Sequence, residues 1–438
     1  MTTLRAYLWA ACVALALLLQ VSASAVKTEV VPSAPLLSAD GSTVIKDSYI
    51  VVFREELSQD AFLRNVQTFT AYLQTTLSTK EALANRGIKN VFNIAPEVRG
   101  FVGIFTEADV HELQRNADVA YVEKDSVVYV TEDQVDAPWG LARISHATHP
   151  EGEDANTYSY YPDAGEGVTA YVIDTGVNIH HVDFEGRAVW GATIPEGDED
   201  ADGNGHGTHV SGTIAGKTFG VAKKAKIVAV KVLRSNGSGS MSDVLGGIDW
   251  AVEAHRREDE ALRKKGKKAK SVANMSLGGG KSPALDAAVN AAVAAGIHFA
   301  VAAGNENRDA CNSSPAAAAK AVTVAASNSD DARAWFSNWG SCVDIIAPGQ
   351  DILSAWIGSN VATNVISGTS MASPHVCGAI AALLSRPEYE DLSPAVLKAR
   401  LIRLSKKNLI SNVPRGSRTP NRFLYVPPPS ELDAVEQA

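Results

Sequence analysis

Cysteine is scarce in this chain, with four residues in 438. Cys12 falls in an apolar leader, so the remainder keeps only Cys311, Cys342 and Cys377, an odd number that allows one disulfide and one free thiol. Excess positive charge is also missing. The formal net charge is −9 and the isoelectric point about 5.6, the opposite of the basic footprint by which proteins neutralise phosphates, and a nucleic-acid partner is excluded on that ground. Beyond the leader no apolar run approaches the about 20 residues of a spanning helix, so no membrane anchor is expected. No internal repeat is present. With 45% hydrophobic and 20% charged residues, the chain has enough apolar material for a large core and more than one folding unit.

The leader reads as an export signal over residues 1–25: Arg5 supplies the positive end, Tyr7 to Leu19 the apolar run, and Ala23-Ser24-Ala25 the small residues for cleavage. An oxidising compartment permits the disulfide. A strand pattern then covers Tyr49 to Phe53, a helical one about Asp60 to Leu83, a strand Phe101 to Phe105 and a helix Ala108 to Arg115, forming a small mixed domain that ends near Val130. From Trp139 the texture changes. Apolar runs at Ala170–Ile173, Ile227–Leu233, Val272–Leu277 and Ile297–Ala302 alternate with helical stretches, which predicts an α/β domain of parallel strands with active residues at the strand ends. Between His255 and Lys270 eight Arg and Lys residues crowd together, either a solvated helix end and loop or an anionic docking patch. The Pro-rich acidic tail from about Pro427 is expected to be mobile.

Three motifs carry the chemistry: Val172-Ile173-Asp174-Thr175-Gly176, Asn204-Gly205-His206-Gly207-Thr208-His209 and Gly368-Thr369-Ser370-Met371-Ala372-Ser373-Pro374. A serine hydroxyl is a weak nucleophile at neutral pH; a histidine must take its proton, and a carboxylate must hold the imidazole's tautomer and stabilise its cation. Singly, Asp174 reads as a turn residue and Ser370 as a helix cap, but the set of three is specific. The glycines about His206 let the backbone pass close to a bound substrate. Ser370 opens a helical run, Met371 to Leu384, with Pro374 in its first turn. His209, one helical turn from His206, reads as structural rather than as a zinc ligand, since no His-Glu-x-x-His pattern accompanies it. Cys377, in a run of apolar and small residues, reads as a small buried hydrophobe. Of the Asn-x-Ser sequons, Asn236 and Asn312 fall in surface loops, whereas Asn274 falls in a buried strand where a glycan is not expected.

With these motifs the chain resembles the subtilisin-like serine proteases, which share the order Asp, His, Ser. Within them it is similar to the proteinase K branch and the fungal vacuolar protease B, or cerevisin, group, through Ala137-Pro138-Trp139-Gly140-Leu141-Ala142-Arg143-Ile144 and Ala273-Asn274-Met275-Ser276-Leu277-Gly278-Gly279. The resemblance implies a three-layer α/β subtilisin-like fold with a mostly parallel central sheet over 132–438, preceded by a small α+β inhibitory propeptide over 26–131. Autocleavage would fall between Thr131 and Glu132. It implies Asp174, His206 and Ser370 as the triad and Asn305, in Ala302-Ala303-Gly304-Asn305, as an oxyanion donor. Gly237-Ser238-Gly239 and Ser276-Leu277-Gly278 would flank an extended peptide, and Met241 would line a side-chain pocket unless it is plain core. The resemblance further implies a Cys311–Cys342 disulfide and a structural calcium on Asp344 with the Ala319 and Ala321 carbonyls, although Ala319 stands where proteinase K has proline. No cofactor is otherwise required. The implied partners are protein and peptide substrates and the chain's own propeptide, acting on a monomer in the vacuole lumen or, alternatively, outside the cell. The rival readings are an inactive subtilase scaffold that binds rather than cuts, and a lipase or esterase, whose Gly-x-Ser-x-Gly elbow is absent around Ser370.

Overall fold

The computed structural model describes residues 33–38, 44–76, 86–94, 98–126 and 132–428. The export signal, the Thr131 side of the expected processing bond and all of the tail but Pro427 and Pro428 lie outside the described residues. The chain divides into two compact units, 1–127 and 128–438.

The first unit is a five-stranded sheet in the order Leu36–Leu37, Val119–Ser126, Val44–Phe53, Val98–Ile104, Gly87–Ile94. All its pairings are antiparallel except the short first one. The helices Gln59–Thr76 and Glu107–Arg115 pack on one core with Phe53, Phe62, Phe69, Phe101 and Phe105 at its centre. Phe69 stacks on Phe101 at 5.7 Å between centroids and meets Phe105 edge-on at 5.4 Å. Each buried ring contributes about 1.5–3 kcal/mol, so these five side chains dominate the stability of a small α+β unit. The second helix is fixed at its start by a capping box between Thr106 and Asp109.

The second unit is built on a nine-stranded sheet, in the order Lys406–Lys407, Arg422–Phe423, Ile345–Pro348, Val322–Ser327, His298–Ala302, Lys270–Met275, Val168–Asp174, Lys226–Lys231, Ala188–Thr193. Every pairing is parallel save that of the two shortest strands. Burial on both faces makes the strands continuously apolar, and alternation divides their side chains between two cores. Ala170 and Val172 join the core beneath the helices His206–Ala215 and Thr369–Leu384, while Tyr171 and Ile173 join the core beneath Met241–Arg263 and Pro283–Ala294. The unit is therefore three-layered, helices on both faces of the sheet, as the alternating runs implied.

Chain order reverses at Val168–Asp174. The next two strands lie to one side of it and Lys270–Met275 to the other, so a crevice opens beyond the carboxyl ends of the strands at this point. Two predicted strands end earlier than their apolar runs. The strand at 226 stops at Lys231 because the Val232 and Leu233 N–H groups both donate to the Asp174 carbonyl. The one at 270 stops at Met275, and Ser276 and Leu277 leave the sheet for the crevice. The basic segment is the end of the long helix and the turn after it, and four of its eight cations are in ion pairs, Arg256 with Glu253, Arg263 with Asp259, Lys268 with Asp391 and Lys270 with Glu390. Its exposed position on a helix end and loop agrees with the solvated alternative.

Cys311 and Cys342 are bonded, with Cα atoms 5.3 Å apart and 31 residues of separation. A loop of this length gives a stabilisation of about 3–4 kcal/mol in the chain-entropy model. Replacing both cysteines by serine is expected to lower Tm by roughly 10 °C in differential scanning calorimetry; an unchanged Tm would mean the bridge constrains nothing that matters.

Candidate active site

Asp174 is the last residue of its strand and is fully buried. Its Oδ1 accepts from the Thr175 N–H and from His206 Nδ1, each at 2.7 Å. With Nδ1–H directed at the carboxylate, His206 Nε2 is left without a proton and able to act as a base. The imidazole is one-quarter exposed. Burial alone would depress its pKa, but the charge of Asp174, the hydrogen bond to it and the more distant charge of Asp202 outweigh burial and leave it raised above the ordinary value.

His206 is the first residue of its helix. The glycines beside it serve the protein's own packing more than a ligand's approach. A Cβ on Gly207 would stand 2.1 Å from the Gly176 carbonyl, and one on Gly205, whose φ is +101°, would strike the Trp356 ring. Without them the helix could not start so close to the Asp174 turn.

The sequence reading missed the group that holds this approach. Asp202 accepts at Oδ1 from Thr175 Oγ1 and the Asn204 and Gly205 N–H groups, and at Oδ2 from the N–H and Oγ1 of Thr208. It thus caps the His206 helix from outside and fastens it to the residue after Asp174. Thr175 Oγ1 in turn accepts from the Gly207 N–H at 2.9 Å. An acidic residue just ahead of a predicted helix start was the available signal. From the sheet side the buried Lys231 ammonium donates to the Thr175 and Leu233 carbonyls and lies 3.6 Å from Asp198.

Ser370 is the second residue of the helix Thr369–Leu384. Its Oγ donates to the Ser276 carbonyl at 3.1 Å, and among the described residues it makes no hydrogen bond to His206. The helix begins one residue before Ser370, so Pro374 lies in its interior rather than in its first turn. A proline there has no N–H for the carbonyl four residues earlier. That carbonyl belongs to Ser370, and Ser276 Oγ donates to it at 2.7 Å instead. Asn274 donates to Ser276 Oγ and accepts from Ser373 Oγ, so a buried polar network locks the Ser370 turn to the sheet.

Asn305 follows Gly304, whose φ is +102°. The Asn305 Oδ1 accepts from the N–H and Oγ1 of Thr369, which turns the amide so that Nδ2 keeps no acceptor among the described residues. A Cβ built on Gly368 would lie 3.5 Å from both Asn305 Nδ2 and the Ser370 backbone nitrogen. Two donors therefore converge on space that only glycine leaves empty, at the N-terminus of a helix where negative charge is favoured. Asn338, buried behind this loop and also unforeseen, donates to the Ala303 carbonyl and accepts from the Glu306 and Arg308 N–H groups.

A cleft of about 430 Å³ is lined by His206, Gly237, Ser238, Gly239, Met241, Ser276, Leu277 and Gly278 among others, and a pocket of about 100 Å³ beside it by Asn305 and Ser370. The two share Leu277, Gly278 and Gly279. Every substrate-binding residue expected from the resemblance thus meets at one place, and Met241, partly exposed on the rim, is not plain core.

A model of the subtilase family matches residues 165–420, more than half of the chain. The chain belongs to the subtilase family. A second family model, peptidase inhibitor I9, matches residues 48–131. Among similar proteins, a subtilisin-like protease of Coccidioides posadasii is 54% identical over 412 residues, covering 89% of this chain and 82% of the relative. Cerevisin of Saccharomyces cerevisiae is 53% identical over 414 residues, covering 88% of this chain and 64% of the relative. The crystal structure of a cold-adapted subtilisin-like serine proteinase, 46% identical, superposes with a TM-score of 0.59 over 66% of this chain and 98% of that one. The chain is thus a subtilisin-like serine protease that carries an inhibitor-type propeptide.

Other residues of this subtilase take the places foreseen for them, with one exception. His209 is buried, bonded through Nε2 to the Ile352 carbonyl and pushed down by burial to about 4. Among the described residues no group of three or more His, Cys, Asp or Glu could hold a metal. Cys377 is buried and its thiol pushed up by burial. Asn274 is fully buried and both ends of its amide are used, whereas Asn236 and Asn312 are exposed. The exception is the calcium set. The carboxylate of Asp344 and the carbonyls of Ala319 and Ala321 do converge, but on the Lys398 ammonium, which donates to all three. A hard cation needs six to eight oxygens at 2.3–2.6 Å; three oxygens wrapped about a protonated nitrogen do not fit one.

Asn305→Ala is expected to lower kcat by about 10²–10³-fold with little change in KM, the general magnitude for loss of one oxyanion donor. Steady-state kinetics on an extended peptide decide it, and an unaffected kcat would remove Asn305 from the chemistry.

Proposed function

We propose that this subtilase is an endopeptidase acting through a covalent acyl-enzyme, with His206 as general base, Asp174 as its orienting carboxylate, Ser370 as nucleophile and Asn305 as oxyanion donor. The observation that carries the reading is the His206 Nδ1–Asp174 Oδ1 contact of 2.7 Å beside two convergent donors. Rotation of the Ser370 side chain away from the Ser276 carbonyl brings Oγ to Nε2. Oγ then attacks the scissile carbonyl while its proton passes to Nε2. The carbonyl oxygen becomes an oxyanion between Asn305 Nδ2–H and the Ser370 N–H. Collapse breaks the C–N bond, the leaving amine takes the proton from Nε2, and water repeats the sequence to release the acid. This chemistry needs no organic cofactor.

The substrate lies extended between Gly237-Ser238-Gly239 and Ser276-Leu277-Gly278, adding backbone hydrogen bonds strand-fashion. Leu233, Met241, Val244, Leu277 and Leu285 line the larger cleft, which supports broad specificity with an apolar or aromatic preference on the acyl side. The resemblance supports export by the 1–25 signal, inhibition by residues 26–131 until the Thr131–Glu132 bond is cut by the enzyme itself, action as a monomer, and residence in the vacuole lumen, with secretion as the alternative. Asn236 and Asn312 are the sequons open to glycosylation.

Expressed side by side in a secretory host, the wild type is expected to lose its segment near Thr131 by intact mass and Ser370→Ala to retain it. Equal cleavage of both would assign processing to a host protease; no cleavage of either, with no labelling by a fluorophosphonate, would favour an inactive scaffold. The base must be neutral to act, so kcat/KM should fall as pH drops through the raised His206 pKa. The acid limb is therefore expected above the ordinary imidazole value, and a limb below it would contradict the Asp174 pairing.

A further inference from the structure

The Lys398 ammonium stands on the helix Pro394–Leu404 and reaches across to the sheet, donating to the Ala321 carbonyl at 2.6 Å, to Asp344 Oδ2 at 2.8 Å and to the Ala319 carbonyl at 3.1 Å. All three ammonium protons are used. Asp344 Oδ2 is itself held by the Thr323 N–H at 2.9 Å, and the backbone around it is tied back by the Asp344 N–H to the Thr323 carbonyl. The pair is mostly shielded from water, with side chains 18% and 22% exposed. Its charge is balanced one to one, and the two carbonyl dipoles face the cation. A lysine has no acceptor to satisfy and a stem long enough to span from helix to sheet, so each of its three protons meets an acceptor in the cage.

We infer that Lys398 is a covalently tethered cation doing the structural work of a divalent metal: it cross-links the 319–323 segment, Asp344 and the Pro394–Leu404 helix, and makes the peptidase unit indifferent to calcium at this place. The location supports the role. Ala319 and Ala321 lie inside the loop closed by Cys311 and Cys342, and Asp344 follows that disulfide by two residues, so bridge and ammonium fasten the same stretch of chain. A bound metal stabilises only in proportion to RT ln(1 + [L]/Kd) and is lost to chelators and dilution. A tethered ammonium has an effective concentration fixed by the helix it stands on. The inference is independent of the catalytic reading, because it concerns the stability of the unit and not its chemistry.

The test uses the full chain carrying Ser370→Ala, which prevents self-digestion, melted in excess EDTA and in millimolar calcium chloride, with calcium binding read separately by isothermal titration calorimetry. With Lys398 present, Tm is expected to be the same in both media. Lys398→Met, which keeps the length of the stem and removes the charge, is expected to lower Tm by roughly 5 °C in EDTA, to regain it in calcium, and to show calcium binding that Asp344→Asn abolishes. Calcium dependence of the lysine-containing protein, with binding lost on Asp344→Asn, would overturn the inference, as would a Lys398→Met protein with unchanged Tm or one that calcium does not restore. Should Lys398→Met fail to fold in either medium, the titration of the lysine-containing protein decides: calcium binding that requires Asp344 refutes the tethered cation, and its absence supports it.

Discussion

The contact between the Asp174 carboxylate and the His206 imidazole is the constraint on which the rest of the peptidase unit depends. It joins the end of a strand to the start of a helix 32 residues later, and neither element would choose this approach by itself. Gly207 must come within van der Waals range of the Gly176 carbonyl, Asp202 must cap the helix while gripping Thr175, and the buried Lys231 must neutralise the carbonyls beneath the turn. The Asp202 and Lys231 contacts are hydrogen bonds to charged groups in a low-dielectric setting, where such bonds are strongest and where their loss leaves a buried charge unmatched. The rigidity of this junction fixes the tautomer of His206 and sustains its raised pKa.

Ser370 is held by a different logic. Its helix contains a proline that cannot bond to the Ser370 carbonyl, and the vacancy is filled by Ser276 from the segment that leaves the sheet to line the cleft. One side chain therefore couples the nucleophile's turn to the binding segment. The side chain of Ser370 remains turned toward the Ser276 carbonyl rather than bonded to His206. The Asn305 amide and the Ser370 N–H, the proposed oxyanion donors, are by contrast already aimed, because Asn305 is anchored through its oxygen and Gly368 leaves the space before them clear. Preorganised dipoles of this kind cost no rearrangement when charge develops.

The unit's far side shows how a protein can answer one structural need in two currencies of charge. Oxygens arranged around Asp344 suggest a metal when only the carboxylate and its neighbours are considered, but the cation is supplied by a helix more than fifty residues further along the chain. The correction has a simple cause. Sequence motifs list acceptors, whereas the donor that meets them is set by tertiary packing.

By itself the sequence determined the two units, the α/β character of the larger one and the motifs that hold Asp174, His206 and Ser370, because continuous apolar runs, glycine-flanked polar residues and short motifs are local signals. It also gave the disulfide partners through resemblance, there being few cysteines to pair. Local pattern does not reveal Asn338 or the Ser276 bridge, whose partners lie 32 and 94 residues away, and for Asp202 it offers the place ahead of a helix start but not the grip on Thr175, 27 residues back. Nor could it show that the glycines around His206 relieve a clash with Gly176 and Trp356. Tertiary structure decided that Lys398, and not calcium, occupies the oxygen cage, since hydrogen-bond direction and charge balance depend on which groups meet in space and no local pattern along the chain encodes that meeting.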